Sequence, residues 1–235
     1  VMIAIENSEG KFLMQKRVPE KGGDYGVTGG HPKSGETPYE GIVTEVKINP
    51  RSFVSEKKCD PEAKRFLMAT RFVYAKGLDL MMEAFEKFCR EDDEWQLDII
   101  GSGDLWNEIV ADAKRRHIED RVNFVGYTNE PEKYYLNSSV FLLPSRWEGW
   151  PMVIMEAFEF GLPVIAFHTG AMDLIIDDGK TGFLPEAFDV DKFAQAMLKL
   201  AHDDELRRKM SRNAIWKSED FAIEKAVSEW NHLFE

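Results

Sequence analysis

VFLLPSRWEGWPMVIMEAFEFGLPVIAF, residues 140–167, contains a complete strand–loop–helix–strand unit. VFLLPS (140–145) is a short apolar run of the kind that forms a strand buried on both faces. The polar loop RWEGW follows it. PMVIMEAFEFG (151–161) then reads as a helix. Pro151 opens it where a missing N–H costs least, and Gly161 closes it. LPVIAF (162–167) is the next strand. Two strands joined by a helical crossover predict neighbouring parallel strands with the helix packed on the sheet.

The same alternation extends in both directions. Strands are expected at 64–72, 95–101, 121–126 and 181–184, and helices at 76–91, 104–117 and 131–137. In the first helix Leu78, Met81, Met82, Phe85 and Phe88 form one apolar stripe at helical spacing. Further helices fill 189–202, 205–217 and 220–234. At least five βα alternations predict an α/β fold with a Rossmann-like, doubly wound parallel sheet. Residues 1–46 have a different texture. VMIAIE and KFLMQKR flank NSEG as a hairpin, GGDYGVTGGHPKSGET (22–37) reads as loop, and a helix is expected after Thr37–Pro38.

Composition narrows the function. The 235 residues are 43% hydrophobic and 31% charged, which supports a packed core and excludes fibrous or wholly disordered chains. A net charge of −12 disfavours nucleic acid and anionic membranes as partners. An anionic ligand would need local cations or helix N-termini. No stretch is apolar enough for a transmembrane segment, and the N-terminus does not read as a signal peptide. Cys59 and Cys89 lack metal spacing and are expected to be reduced thiols. The expected location is cytoplasmic, with peripheral membrane attachment left open.

A doubly wound sheet binds ligands where its strands end, so the loops after the strands are the candidate sites. Arg71 and Lys76 flank the loop after the first strand, beside the start of a helix. Two cations there suit a diphosphate. GSGD (101–104) begins like a dinucleotide fingerprint, but Trp106 fails to complete it, so nicotinamide chemistry is not supported. In the unit quoted above, Ser145 ends a strand, Glu148 precedes the helix and Glu156 lies two turns on. Two carboxylates so placed can accept from ligand hydroxyls, while the free N–H groups of 149–153 can meet an anion. The same residues would also serve as a capping acid and a solvated helix acid.

Several ordered motifs make residues 47–235 resemble the C-terminal domain of retaining GT-B glycosyltransferases of family 4. INP (48–50), ATRFVYAKGLDLMMEAF (69–85), RVNFVGY (121–127), EGWPMVIMEAFEFGLPVIA (148–166) and DLIIDDGKTGFL (173–184) carry the resemblance. It implies hexosyl transfer from a UDP- or GDP-type nucleotide sugar, in polysaccharide or glycolipid assembly. Arg71 and Lys76 would hold the donor diphosphate as it leaves, and Glu148 would contact the transferred sugar. Ser145 and the backbone of Gly149, Trp150, Pro151, Met152 and Val153 would support sugar and phosphate. Glu156 would accept from the ribose, and Gly126–Tyr127 would lie near the base. No metal or other cofactor is expected. Trp150–Pro151 stands where Phe-Gly is usual, which removes one N–H.

The resemblance also implies an acceptor domain, where this chain has 46 residues of another kind. GKFLMQKR and GGHPKSGETPYEGIVTEV resemble the start of a Nudix hydrolase, with Gly30, Glu36 and Glu45 in place and Thr44 where Arg is usual. The match stops inside the motif at Ile48–Asn49–Pro50, before the further carboxylates that hold Mg²⁺. The expected organisation is a partial Nudix-like β segment at 1–46 and a donor-binding domain at 47–235. Alternatives are a Nudix-type nucleoside diphosphate hydrolase and a non-catalytic chimeric module. Expected partners are a nucleotide sugar and either an acceptor domain or a second copy, joined through the cleft or the C-terminal helices.

Overall fold

A computed structural model describes residues 58–170 and 172–221, with the backbone of four two-residue strands nearer the N-terminus. The chain divides into two compact units, Val1–Phe53 with Phe221–Glu235, and Val54–Asp220. In the first unit β1 (Ile5–Glu6) pairs antiparallel with β2 (Phe12–Leu13), the hairpin expected there. β3 (Gln15–Lys16) pairs antiparallel with β4 (Tyr25–Gly26). The glycine-rich stretch read as loop therefore contributes strand residues. The helix expected after Thr37–Pro38, and the one at 220–234 beyond Phe221, lie outside the described residues.

The second unit runs β5 (Arg65–Ala69), α1 (Leu78–Cys89), β6 (Gln96–Ile100), α2 (Trp106–Arg115), β7 (Val122–Gly126), α3 (Glu132–Leu136) and β8 (Val140–Leu143). It continues with α4 (Met152–Phe160), β9 (Val164–Ala166), α5 (Met172–Ile175), β10 (Gly182–Phe183), α6 (Val190–His202) and α7 (Asp204–Ser218). The six strands form one parallel sheet in the order β10-β9-β8-β5-β6-β7. This is the Rossmann order, built outward in two directions from β5. The strand expected at 64–72 stops at Ala69, because Phe72 turns away to pack on Trp106 and Phe124.

Alternation along the strands sorts the core into two layers. Phe66 and Met68 join Leu97, Ile99, Leu142 and the apolar stripe of α1 in one cluster, which extends to Phe193, Met197 and Leu200 of α6. Phe66 meets Phe88 edge-on at 5.1 Å and Trp95 at 4.6 Å. On the other layer Tyr135 stacks on Phe141 and Phe160, and α4 packs against α7. The buried charges of Asp98 and Arg207 are satisfied. Asp98, 3% exposed, accepts from Arg65 and Asn123 across three strands at 3.0 Å each. Arg207, 2% exposed, donates to the carbonyls of Pro61 and Leu200 and to Asp204.

Helix ends follow their local chemistry. Asp189 and Asp203 cap α6 and α7 by accepting from Lys192 and Leu206 backbone N–H. Pro151 occupies the N-cap of α4, one residue earlier than the first helical position expected for it, and Gly161 ends the helix at φ 81°. Gly77 closes the 3-10 turn Tyr74–Lys76 and opens α1 at φ 64°. A Cβ built there would lie 2.1 Å from the Pro144 carbonyl oxygen, so only glycine lets the loops after β5 and β8 meet. Gly77→Ala is expected to cost about 2–4 kcal/mol through positive φ and this clash, lowering the melting temperature by roughly 5–15 °C. Thermal unfolding followed by circular dichroism checks it.

Candidate functional site

β5 neighbours β6 on one side and β8 on the other, so successive connections leave this point in opposite directions. The crevice at the carboxyl ends of β5 and β8 is therefore the topological binding position. The loop after β5 is anchored first. Thr70 N–H bonds to Ile100, Phe72 N–H to Ser102, and Phe72 O accepts from Leu105. Its ring is fully buried beneath Trp106 at 4.7 Å. The 3-10 turn Tyr74–Lys76 then delivers Lys76 toward the loop after β8.

Arg146 joins the two loops. Its backbone N–H donates to Ala75 O at 2.8 Å, and its Nη1 donates to Tyr74 O at 2.9 Å. The guanidinium also grips both carboxylate oxygens of Asp79, at 2.8 and 2.5 Å, and lies 4.0 Å over the Tyr74 ring. Burial works against the Asp79 charge, yet the Arg146 guanidinium outweighs it and holds the carboxyl below its ordinary pKa. Sequence reasoning missed Arg146 and Asp79. The signal available was an arginine in the strand-to-helix loop and an aspartate in the first turn of the neighbouring helix.

With the loops fixed, Lys76, Ser145 and Glu148 converge. Lys76 Nζ and Ser145 Oγ both donate to Glu148 Oε1 at 2.6 Å. The Lys76 and Glu148 side chains are 20% and 9% exposed, so the pair is largely shielded from water. Thr169 Oγ1 donates to Ser145 O at 3.5 Å, and Gly170 passes close to Glu148 O. The loop after β9 thus forms a third wall. His168 in that loop is exposed, and its backbone forms an isolated parallel β-bridge with that of Glu186.

The remaining expected residues surround this node unevenly. Arg71 is exposed, and its side chain has no hydrogen-bond or ion-pair partner among the described residues. Gly149, Trp150, Pro151, Met152 and Val153 lead into the first turn of α4, where the first N–H groups have no intrahelical carbonyl. Nothing lies within 4 Å of a Cβ built at Gly149. Tyr74, Trp147, Trp150 and Met152 are all exposed large side chains on these loops. Glu156, in the second turn of α4, accepts from Tyr135 Oη at 2.9 Å. Gly126, at φ 83°, accepts from Gly101 N–H, and Tyr127 beside it is 77% exposed. Among the described residues no three His, Cys, Asp or Glu side chains are grouped to hold a metal ion. Both thiols are free, and burial pushes each up to about 11, so they stay protonated at neutral pH.

An open polar groove of about 650 Å³ lies at the opposite, amino ends of the strands, around Arg65, Asp98 and Asn123. It shares no residue with the Lys76–Glu148 node, and its buried acid is already satisfied by Arg65 and Asn123.

Glu159 follows Glu156 by three residues on α4. Burial, with the nearby Glu156 charge, raises its pKa from the ordinary 4.5 to about 7, and Lys58 offsets part of this. Its Oε2 is buried without a hydrogen-bond partner among the described residues. The folded chain therefore holds this proton more tightly than the unfolded chain. Stability is expected to fall as pH rises from about 4.5 to about 7 and to level off above. Glu159→Gln should raise the melting temperature at pH 8 and leave it unchanged at pH 4. Thermal melts across that range check it, and an equal gain at both ends would rule out the charge as the cause.

Residues 51–216, well over half of the chain, match the family model of glycosyl transferases group 1. An uncharacterized glycosyltransferase of Haemophilus influenzae is 32% identical over 187 residues, covering 79% of this chain and 53% of its own length. N-acetyl-alpha-D-glucosaminyl L-malate synthase of Bacillus anthracis is 31% identical over 177 residues, covering 74% and 46%. The chain thus spans about half the length of these relatives. A mutant of S. aureus TarM, in complex with fondaparinux, alpha-GlcNAc-glycerol and UDP, has a TM-score of 0.70 at 27% identity, over 76% of this chain and 36% of that one. The C-terminal domain of the glycosyl transferase group 1 family protein LpcC from Francisella tularensis has a TM-score of 0.63 over 68% of this chain and 87% of its own. At 23% identity it speaks to the fold alone. Matched across its strands, its helices and the loops that meet at β5 and β8, the chain belongs to the glycosyl transferases group 1 family.

Proposed function

We propose that this chain carries the nucleotide-sugar-binding half of a retaining glycosyltransferase of GT-B type, family 4, which transfers a hexosyl group in polysaccharide or glycolipid assembly. The observation that carries this reading is the convergence of Lys76, Ser145 and Glu148 at the switch point of the sheet. A lysine, a hydroxyl and a carboxylate there can serve a diphosphate and a sugar together. UDP is the first nucleotide to consider, because the TarM structure is a complex with it.

On this reading the donor diphosphate takes Lys76 from Glu148. The released carboxylate then accepts from hydroxyls of the sugar to be transferred. Arg71, exposed and without a side-chain partner among the described residues, supplies the second cation. As the bond between the sugar C1 and the diphosphate oxygen breaks, negative charge collects on the leaving phosphate, and Lys76 and Arg71 stabilise it. An acceptor hydroxyl forms the new bond to C1 on the same face and passes its proton to the departing phosphate oxygen. The first turn of α4 supports the phosphate and sugar through backbone N–H groups, with Pro151 contributing none. Glu156 accepts from the ribose, and Gly126–Tyr127 lies against the base. The acceptor is held by a further domain or by a second copy. Residues 1–46 keep their reading as a partial Nudix-like segment on Gly30, Glu36 and Glu45 alone. Among the described residues no helix is long and apolar enough to cross a membrane.

Calorimetry with UDP-, GDP- and ADP-sugars tests this reading. One nucleotide class is expected to bind, with affinity lowered about 30-fold or more by Lys76→Ala and about tenfold by Glu156→Ala. Absence of binding to all three by a chain with a cooperative thermal transition would overturn it.

A further inference from the structure

We propose that Tyr135 sets the preference of the site for ribonucleotides, acting as a positioning residue for Glu156. The inference rests on the reading above that Glu156 faces the donor ribose. Its physical basis lies in how the Tyr135 ring is held.

Tyr135 sits near the end of the short helix α3, just before β8, and is 2% exposed. Its ring is stacked on both sides of the strand–helix junction. Phe141 of β8 lies 5.9 Å away at 5° between planes, and Phe160 of α4 lies 5.0 Å away at 18°. A ring packed in this way cannot swing, so the direction of its O–H is fixed by the core and not by solvent. A buried phenol also needs a partner. Tyr135 Oη finds one in Glu156 Oε2, to which it donates at 2.9 Å.

This matters because a glutamate side chain is long and otherwise adaptable. Holding it for a ligand costs rotamer entropy at the moment of binding. Glu159, three residues further along α4, is a second carboxyl close enough to feel the Glu156 charge. The bond from Tyr135 holds one oxygen of Glu156 against these disturbances. A carboxylate can accept about four hydrogen bonds, and the one from Tyr135 orients a single oxygen, Oε2. The ribose 2′- and 3′-hydroxyls then meet an acceptor already set in direction. A deoxyribose leaves that acceptor unanswered, and a carboxylate stripped of water without a donor is penalised.

The test measures affinity for UDP, 2′-deoxy-UDP and 3′-deoxy-UDP with the full chain, as wild type, Tyr135→Phe and Glu156→Gln. If the chain selects guanine, GDP and its deoxy analogues replace them. Tyr135→Phe keeps the stacked ring, and its thermal transition is measured alongside. The wild type is expected to prefer the ribonucleotide over at least one deoxy analogue by about tenfold or more. Tyr135→Phe should weaken ribonucleotide binding about 5–10-fold and leave deoxynucleotide binding within about twofold, so that the preference collapses. Glu156→Gln should collapse the same preference. If Glu156→Gln does so and Tyr135→Phe lowers all three affinities alike, or none, the positioning role is wrong and the ribose reading stands. If the wild type shows no preference, or Glu156→Gln leaves it intact, the ribose reading itself fails and this proposal fails with it.

Discussion

Arg146 has both its backbone and its guanidinium committed to the loop after β5, and that loop–loop junction governs what the crevice can do. Strand order alone brings the ends of β5 and β8 side by side. It does not decide how far apart the two loops stand. Gly77 removes the Cβ that would separate them from Pro144, and Arg146 fastens them through Ala75, Tyr74 and Asp79. Only then can Lys76 and Glu148, 72 residues apart in the chain, come within 2.6 Å. The Arg146–Asp79 contact has the bidentate geometry that makes arginine hard to replace by lysine.

The charge balance of the crevice follows from these pairings. A chain with net charge −12 repels anions at long range, so a basic cluster would be expected wherever it binds a phosphate. The cluster is present but largely spoken for. Lys76 is held by Glu148 and Arg146 by Asp79, and Arg71 stands apart. Before a ligand arrives, the shielded Glu148 is thus compensated by Lys76 and the more exposed Asp79 by Arg146. A phosphate that displaces one of them makes a direct exchange of partners, which costs less than stripping water from an isolated lysine.

Much of the fold is legible in the sequence, because alternating apolar runs and amphipathic stripes follow from burying strands between helices. Each expected strand and helix between 64 and 218 has its counterpart, with shorter strands. Sheet order is not written in that alternation. It depends on which faces pack best once all the elements exist. The site is legible in part. Arg71, Lys76, Glu148 and Glu156 lie in loops and helix starts that a βα pattern singles out, and Lys76 and Glu148 do converge. Their pairing with each other, the Arg146 fastening and the Thr169–Gly170 wall are not legible, because each depends on long-range geometry. Tyr135 illustrates the limit: in EKYYLN nothing separates it from Tyr134, whereas in the fold its ring is stacked against Phe141 and Phe160.

The sheet's outer strand has a bearing on how the chain survives its own synthesis. Parallel sheets form slowly, since each strand waits for a distant partner, and an open edge can recruit a neighbouring molecule meanwhile. β10 is only two residues long, and Gly182 within it packs so closely on Val164 that any side chain there would collide with the Val164 carbonyl. A strand this brief offers a stranger almost no ladder to extend. On that side the sheet ends with little backbone left for a second chain to continue.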